Sequence, residues 1–160
     1  MFIDDFDRTM FCNLLAGAVR KLQWVCHAFV LMTTHFHLLL EVEDDVLQPG
    51  MQSLNGPYAQ RFNARHGRWG HLRGDRYSAR PVESEGHMLH AWRYIARNPV
   101  EAGLCKLPSD WVWGSYRGCT GLEKEFPFVD SSKIRGCFSS DRDTACRLLR
   151  EFCGDVPADS

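Results

Sequence analysis

Two histidines, His35 and His37, stand one residue apart in the stretch VLMTTHFHLLLEV, residues 30–42. Residues two apart on a β-strand project from the same face. The two imidazoles would lie side by side, with Phe36, Leu38 and Leu40 filling the opposite face. Neighbouring imidazoles on a rigid strand make half of a divalent-metal site. The same spacing also suits a polar pair on a solvent-facing strand. A second stretch with chemistry in it runs from Gly56 to Arg80, where six arginines stand with a single acid, Asp75. Trp69 and Tyr77 are interleaved there with Arg68, Arg73, Arg76 and Arg80. Arginine with aromatics grips phosphates and stacks bases, and a solvated basic loop has the same composition. A third pair, Tyr94 and Asn98, is spaced to share one helix face, one turn apart.

The elements that must position these residues can be read from periodicity. Apolar positions at Phe11, Leu14, Leu15, Val19 and Leu22 predict a helix over residues 4–24, capped by Asp4 or Asp5. Residues 24–32 form a β-type run, and residues 35–43 the second strand of a hairpin. Its connection, Thr33-Thr34, has neither Gly nor Asn to take a positive φ. Asp44-Asp45 opens a loop. Residues 51–65 read as helix with a break at Gly56-Pro57, and Met51, Leu54, Tyr58 and Phe62 form its apolar side. Residues 66–80 read as a basic loop leading into a short strand near residues 77–82. Residues 85–98 are a helix capped by Ser84, with Met88, Leu89, Trp92 and Ile95 facing inward, ended by Pro99. An aromatic loop (residues 108–116) follows. A C-terminal helical pair over residues 128–153 completes the chain, its second helix capped near Ser140 or Asp141.

The bulk composition narrows the class. At 160 residues, with 44% hydrophobic and 24% charged residues, the chain can bury a real core. It has no apolar run near the ~20 residues that span a bilayer and no basic-then-apolar leader at MFIDDFDR, so the expected location is cytoplasmic. Seven cysteines without a Cys-x-x-Cys pair exclude a zinc knuckle and a disulfide framework, leaving buried thiols. A barrel amidohydrolase, which also uses His-x-His, needs about 250 residues. A histidine-triad hydrolase needs a histidine where Leu39 stands.

Taken in order, the stretches FIDDFDR, VLMTTHFHLLLEVED, YAQRFNARHGRWGHLRGDRYSARPVE, WRYIARNPVEAGL, DWVWGSYRG and FVDSSKIRGCFSSD resemble the single-tyrosine HUH transposases, and within them the REP-associated tyrosine transposases. The resemblance covers nearly the whole chain. Its most specific feature is Tyr-x-x-x-Asn-Pro placed 57 residues after His37. Thr33-Thr34 stands where the family usually has Pro-Asn. The resemblance implies an α+β fold of the ferredoxin/RRM-like HUH kind: an antiparallel sheet with helices packed on one face and the active site on the other. Residues 1–120 would form the transposase-like domain and residues 121–160 a helical C-terminal extension. Family members have a further strand before the first helix, central in the sheet. With Met1 as the start, that first strand is expected to be missing.

The implied chemistry is metal-dependent cleavage and rejoining of single-stranded hairpin DNA, in repetitive extragenic palindromes, through a 5′-phosphotyrosine intermediate. Tyr94 would be the nucleophile, and a tyrosine, with a reference pKa of about 10, needs help at neutral pH. His35, His37 and Asn98 would hold Mg²⁺ or Mn²⁺. Arg61, Arg65, Arg68, Arg73, Arg76 and Arg80 would contact the DNA backbone, and Trp69 and Tyr77 would stack on unpaired bases. The partner would be DNA in the nucleoid, bound by a monomer or homodimer. The alternative is a catalytically inactive, N-terminally truncated hairpin-binding remnant or repressor.

Overall fold

We analysed a computed structural model, which describes residues 1–72 and 77–155. The fold is α+β, with one antiparallel hairpin and six α-helices among the described residues: α1 (Asp5–Leu22), β1 (Val25–Leu31), β2 (Phe36–Glu41), α2 (Asp44–His66), α3 (Glu85–Glu101), α4 (Tyr116–Cys119), α5 (Ser132–Gly136) and α6 (Arg142–Cys153). A short 3-10 helix, Pro108–Asp110, precedes α4. No helix among the described residues is long and apolar enough to cross a membrane.

The hairpin register pairs Val30 with His37, Leu31 with Phe36 and Ala28 with Leu39. A bulge at His27 separates the Ala28–Leu39 pair from Cys26–Leu40. One extra residue in a strand turns the following side chains to the other face. Cys26, Phe29 and Leu31 therefore share one face with Phe36, Leu38 and Leu40, while Ala28, Val30 and Met32 share the other with Leu39. The bulge is anchored, since His27 bonds the Asp130 carbonyl through Nδ1 at 3.1 Å and Glu41 through Nε2 at 3.0 Å.

Apart from Val25, β1 is buried along its length, so both faces need cover. On one face Phe11 and Leu15 of α1 meet Leu54, Tyr58 and Phe62 of α2. On the other, Met88, Trp92, Ile95 and Ala96 of α3 meet Ile134, Leu149 and Cys153. Helices thus lie on both faces of the hairpin. The expectation of helices on one face fails because a strand apolar on both sides cannot leave either one to water. Ile134, Leu149 and Cys153 pack into the same core as α3, whereas Phe126, Phe128 and Val129 pack with α1 and α2. The edge of β1 away from β2 is also occupied: Leu31 N–H donates to the Trp113 carbonyl (2.8 Å), Ser115 N–H to Phe29 (2.9 Å) and Asp130 N–H to Cys26 (2.9 Å). A Cβ on Gly114 would meet the Phe29 carbonyl oxygen at 3.1 Å, which suits glycine to this close approach.

Three local expectations are corrected. First, α2 is one helix from Asp44, with Pro49 and Pro57 inside it. Proline removes one backbone donor, but burial of Met51, Leu54, Tyr58 and Phe62 on one side outweighs that loss. Gly50 lets this helix press on the end of α1 and the residues after it, since a Cβ there would run into the Leu22 side chain and the Trp24 indole. Second, α3 passes through Pro99 to Glu101. Pro99 is buried in the last turn, and the Ala102 N–H still reaches the Asn98 carbonyl at 2.9 Å. Third, residues 77–82 form no strand. They are exposed, and β1's second edge is already taken by residues 113–115 and 129–130. The other boundaries follow the sequence: Asp4 caps α1, Ser84 caps α3 and Asp141 caps α6. The cysteines are unbridged, and burial pushes the Cys12, Cys26, Cys119 and Cys153 thiols up to about 12.

A charged clasp ties the start of α1 to the end of α2. Asp7 has no accessible surface. It accepts from Ile3 N–H (2.9 Å), Arg65 Nη1 (2.7 Å) and His66 Nε2 (3.0 Å). Arg65 Nη2 donates to Asp4 at 2.6 Å. Burial pushes the Asp7 carboxyl up, but its bonds to His66, Ile3 and Arg65 outweigh that and hold it below 3.8. Asp4 is lowered to about 2, first by Arg65. Groups depressed in the folded state stabilise it fully above their unfolded pKa and lose that contribution as pH falls through the folded one. We predict that Asp7→Ala costs about 1.5–3 kcal/mol in urea unfolding at pH 7, the range for charged hydrogen bonds. Its stability should also decline less than the parent's between pH 5 and pH 2.

Candidate active site

The histidine pair is presented by the tip of the hairpin. Met32 N–H donates to the His35 carbonyl at 2.9 Å, closing the Thr33-Thr34 turn without any positive φ. Register then decides the facing. Val30 pairs with His37, so His37 lies on the α3 side of the sheet, and His35, two residues earlier, lies with it. Their ring centroids are 4.9 Å apart with planes at 86°. The Thr34 hydroxyl lies 3.1 Å from His35 Nδ1.

Helix α3 brings the third group. Its buried side, Met88, Trp92, Ile95 and Ala96, docks on Ala28, Val30, Met32 and Leu39. That docking sets Tyr94 beside the hairpin tip, where its ring centroid is 5.2 Å from that of His37, at 80°. Tyr94 is 51% exposed, so about half of the residue is open to solvent. Asn98, one turn further along α3, is only 8% exposed and lies towards the core. His35, His37 and Tyr94, distant in sequence, form one cluster, and Asn98 follows Tyr94 on the same helix. His90, a turn before Tyr94, is exposed.

The donor set bears on a metal. Among the described residues, no group of three or more His, Cys, Asp or Glu side chains is placed to hold an ion. His35 and His37 supply two imidazoles and Asn98 an amide. An ion held by so few protein groups would complete its shell with water or phosphate oxygens, as Mg²⁺ and Mn²⁺ do. The two imidazoles fit such an ion, while Asn98 is buried in α3 with no contact to either histidine among those described.

The basic segment divides. Arg61, Arg68 and Arg80 are exposed, and Trp69 is 97% exposed, an indole with almost no packing. Tyr77 is exposed as well. Arg65 is engaged by Asp4 and Asp7, with its guanidinium 4.7 Å from the Phe6 ring, and serves the clasp. His66 serves it too. Arg73 and Arg76 lie outside the described residues.

Sequence reading missed the contact of Thr34 with His35, the His27 bulge and Arg8. The guanidinium of Arg8 lies 5.9 Å from the Trp111 ring and 5.8 Å from Trp113. The adjacency of Thr34 to His35 was a usable signal. Arg8 depends on partners about a hundred residues away, and so does the His27 bulge through Asp130, its other anchor, Glu41, being 14 residues away. Compared with family models, with curated proteins and with solved structures, the chain has no match in any of the three.

The exposure difference along α3 gives a test of which residues the fold needs. Tyr94→Phe should unfold within about 0.5 kcal/mol of the parent in urea. Asn98→Ala, at a buried polar position, should cost about 1–2 kcal/mol.

Proposed function

We propose that the protein cleaves and rejoins single-stranded hairpin DNA through Tyr94, as a single-tyrosine HUH transposase of the REP-associated kind. The observation that carries this reading is the contact of Tyr94 with His37, in a cluster with His35, assembled from a strand and a helix far apart in sequence. A phenol in contact with an imidazole pair, half open to solvent, suits a nucleophile for a polymeric phosphodiester.

In the first step the Tyr94 oxygen forms a bond to phosphorus and the P–O3′ bond breaks. The phenolic proton is released, and the departing 3′-oxygen takes one up as a hydroxyl. The product is a phosphodiester between Tyr94 and the 5′ side of the break. Attack by a 3′-OH reverses these bond changes and restores the phenol. One ester replaces another at each stage, so strand transfer needs no nucleotide cofactor. His35, His37 and Asn98 would hold Mg²⁺ or Mn²⁺, which when bound neutralises charge on the non-bridging oxygens. The hairpin fixes the two imidazoles and α3 fixes the phenol, so the nucleophile is oriented before substrate arrives. Arg61, Arg68 and Arg80 contact the backbone and Trp69 and Tyr77 stack on unpaired bases, with Arg73 and Arg76 as further candidates.

The test is incubation with labelled single-stranded hairpin DNA and Mn²⁺ or Mg²⁺. The expected result is an SDS-resistant adduct that is lost in Tyr94→Phe and in His37→Ala. Binding with no adduct would replace the enzyme with a hairpin-binding remnant or repressor. Binding has its own expectation. The Arg68→Ala/Arg80→Ala double variant should bind more weakly, with its plot of log affinity against log salt flatter by about 1.4, near 0.7 for each single-strand phosphate that is no longer neutralised. An unchanged slope removes these arginines from the interface.

A further inference from the structure

Arg93 and Arg97 flank Tyr94 in α3, one helical turn apart, and both reach the C-terminal end of α6. Arg93 Nε donates to the Phe152 carbonyl at 2.7 Å, and Arg97 Nη1 donates to the Cys153 carbonyl at 2.6 Å. The Arg93 guanidinium also lies 5.6 Å from the centre of the Phe152 ring. The last four carbonyls of an α-helix have no partner within it. In α6 those of Arg150 and Glu151 accept from the Gly154 and Asp155 N–H groups. The next two, of Phe152 and Cys153, accept from α3. Cations are favoured at this end of a helix, where its dipole is negative. Gly154 leaves room for the approach, since a Cβ there would meet Arg97 Nη1 at 3.3 Å.

These two bonds supply what the apolar packing of α3 lacks. Met88, Trp92, Ile95 and Ala96 dock the helix on the hairpin. Apolar contact is non-directional. It sets how closely the helix lies and resists rotation about the helix axis only weakly. Hydrogen bonds are directional, and two of them, one turn apart and anchored on a second helix, oppose that rotation. Leu149 and Cys153, fully buried, fix α6 itself in the shared core. Rotation of α3 would displace its outer flank, and there Tyr94 stands half-exposed with its ring centroid 5.2 Å from that of His37.

We propose that Arg93 and Arg97 are positioning residues, which fix the rotation of α3 against the end of α6 and so hold Tyr94 against His37. The consequence for strand cleavage rests on Tyr94 being the nucleophile proposed for this chain. Two arginines beside a nucleophile would otherwise count as phosphate contacts. Here a donor of each is committed to a backbone carbonyl, so their loss should slow attack on bound DNA and leave its affinity unchanged.

The test compares the full chain with the Arg93→Met/Arg97→Met variant, which keeps both apolar stems and removes the donors. Without DNA, the NOE between the Tyr94 and His37 rings should be lost. The NOE between Trp92 and Tyr116, whose ring centroids are 5.9 Å apart, should persist and report that α3 is still docked. With saturating hairpin DNA and Mn²⁺, adduct formation should slow about 10- to 100-fold, as expected for a nucleophile misplaced by about 1 Å. Kd and its salt dependence should not change. Arg93→Lys keeps a donor close to the position of Nε and should retain the Tyr94–His37 NOE that Arg93→Met weakens. This pair of single variants decides the question if the double variant does not fold. Leu149→Ala removes apolar contact between α6 and α3 and keeps both bonds, so it should lower stability and retain the NOE. Persistence of the NOE without the arginine donors would overturn the positioning role. Equal loss of it in Leu149→Ala would do the same, as an effect of packing in general. Weaker DNA binding with a flatter salt dependence would make the two arginines phosphate contacts. A parent chain that forms no adduct would remove the transposase reading and leave the NOE to decide the positioning role.

Discussion

The run VCHAFVL gives β1 apolar side chains on both faces, and water must be kept from both. Two helices cover one face and α3 with the C-terminal helices covers the other. Its edges follow the same logic: β2 occupies one, and the Trp113–Ser115 and Val129–Asp130 segments occupy the other. A strand so enclosed is a fixed reference from which β2 hangs in a single register. With a side-chain period of two, a slip by one residue would send His35 and His37 to the α1 and α2 side and Phe36 and Leu38 to the α3 side.

The geometry around the histidines follows from that constraint. The α3 helix packs on Ala28, Val30, Met32 and Leu39 because these are the small and apolar side chains of its face. Docking there sets Tyr94 beside His37 at the hairpin tip. The cluster therefore lies where a buried ladder ends and solvent begins. That position joins rigid support with exposure to solvent. The residues that hold the site are mostly core residues, while the residues proposed to react stand at its rim.

Charge is divided between two tasks in a similar way. The arginines look alike in the sequence, but Arg65 closes a clasp on Asp4 and Asp7, while Arg61, Arg68 and Arg80 extend into solvent. The clasp joins the ends of two helices that cover the same face of β1. The exposed arginines accompany an indole that packs against almost nothing. A buried, triply bonded carboxylate cannot be released to a ligand without loss of stability, whereas an exposed guanidinium can exchange water for phosphate.

Much of the fold could be read from the chain itself. Periodicity located α1, the hairpin and α6. Side-chain caps fixed three helix starts, because a cap depends on residues within one turn. The alternation around His35 and His37 gave their shared face for the same local reason. Prolines misled where burial over many residues outweighed one missing donor, as at Pro57 and Pro99. The bulge at His27 was hidden because its anchors are Glu41 and Asp130. The sequence by itself determined which residue types could do chemistry and the strand and helix that carry them. Only the tertiary structure decided that Tyr94 meets His37 and that Arg65 belongs to a clasp. Each of these depends on contacts between distant segments, whose energies are set by packing of the whole chain.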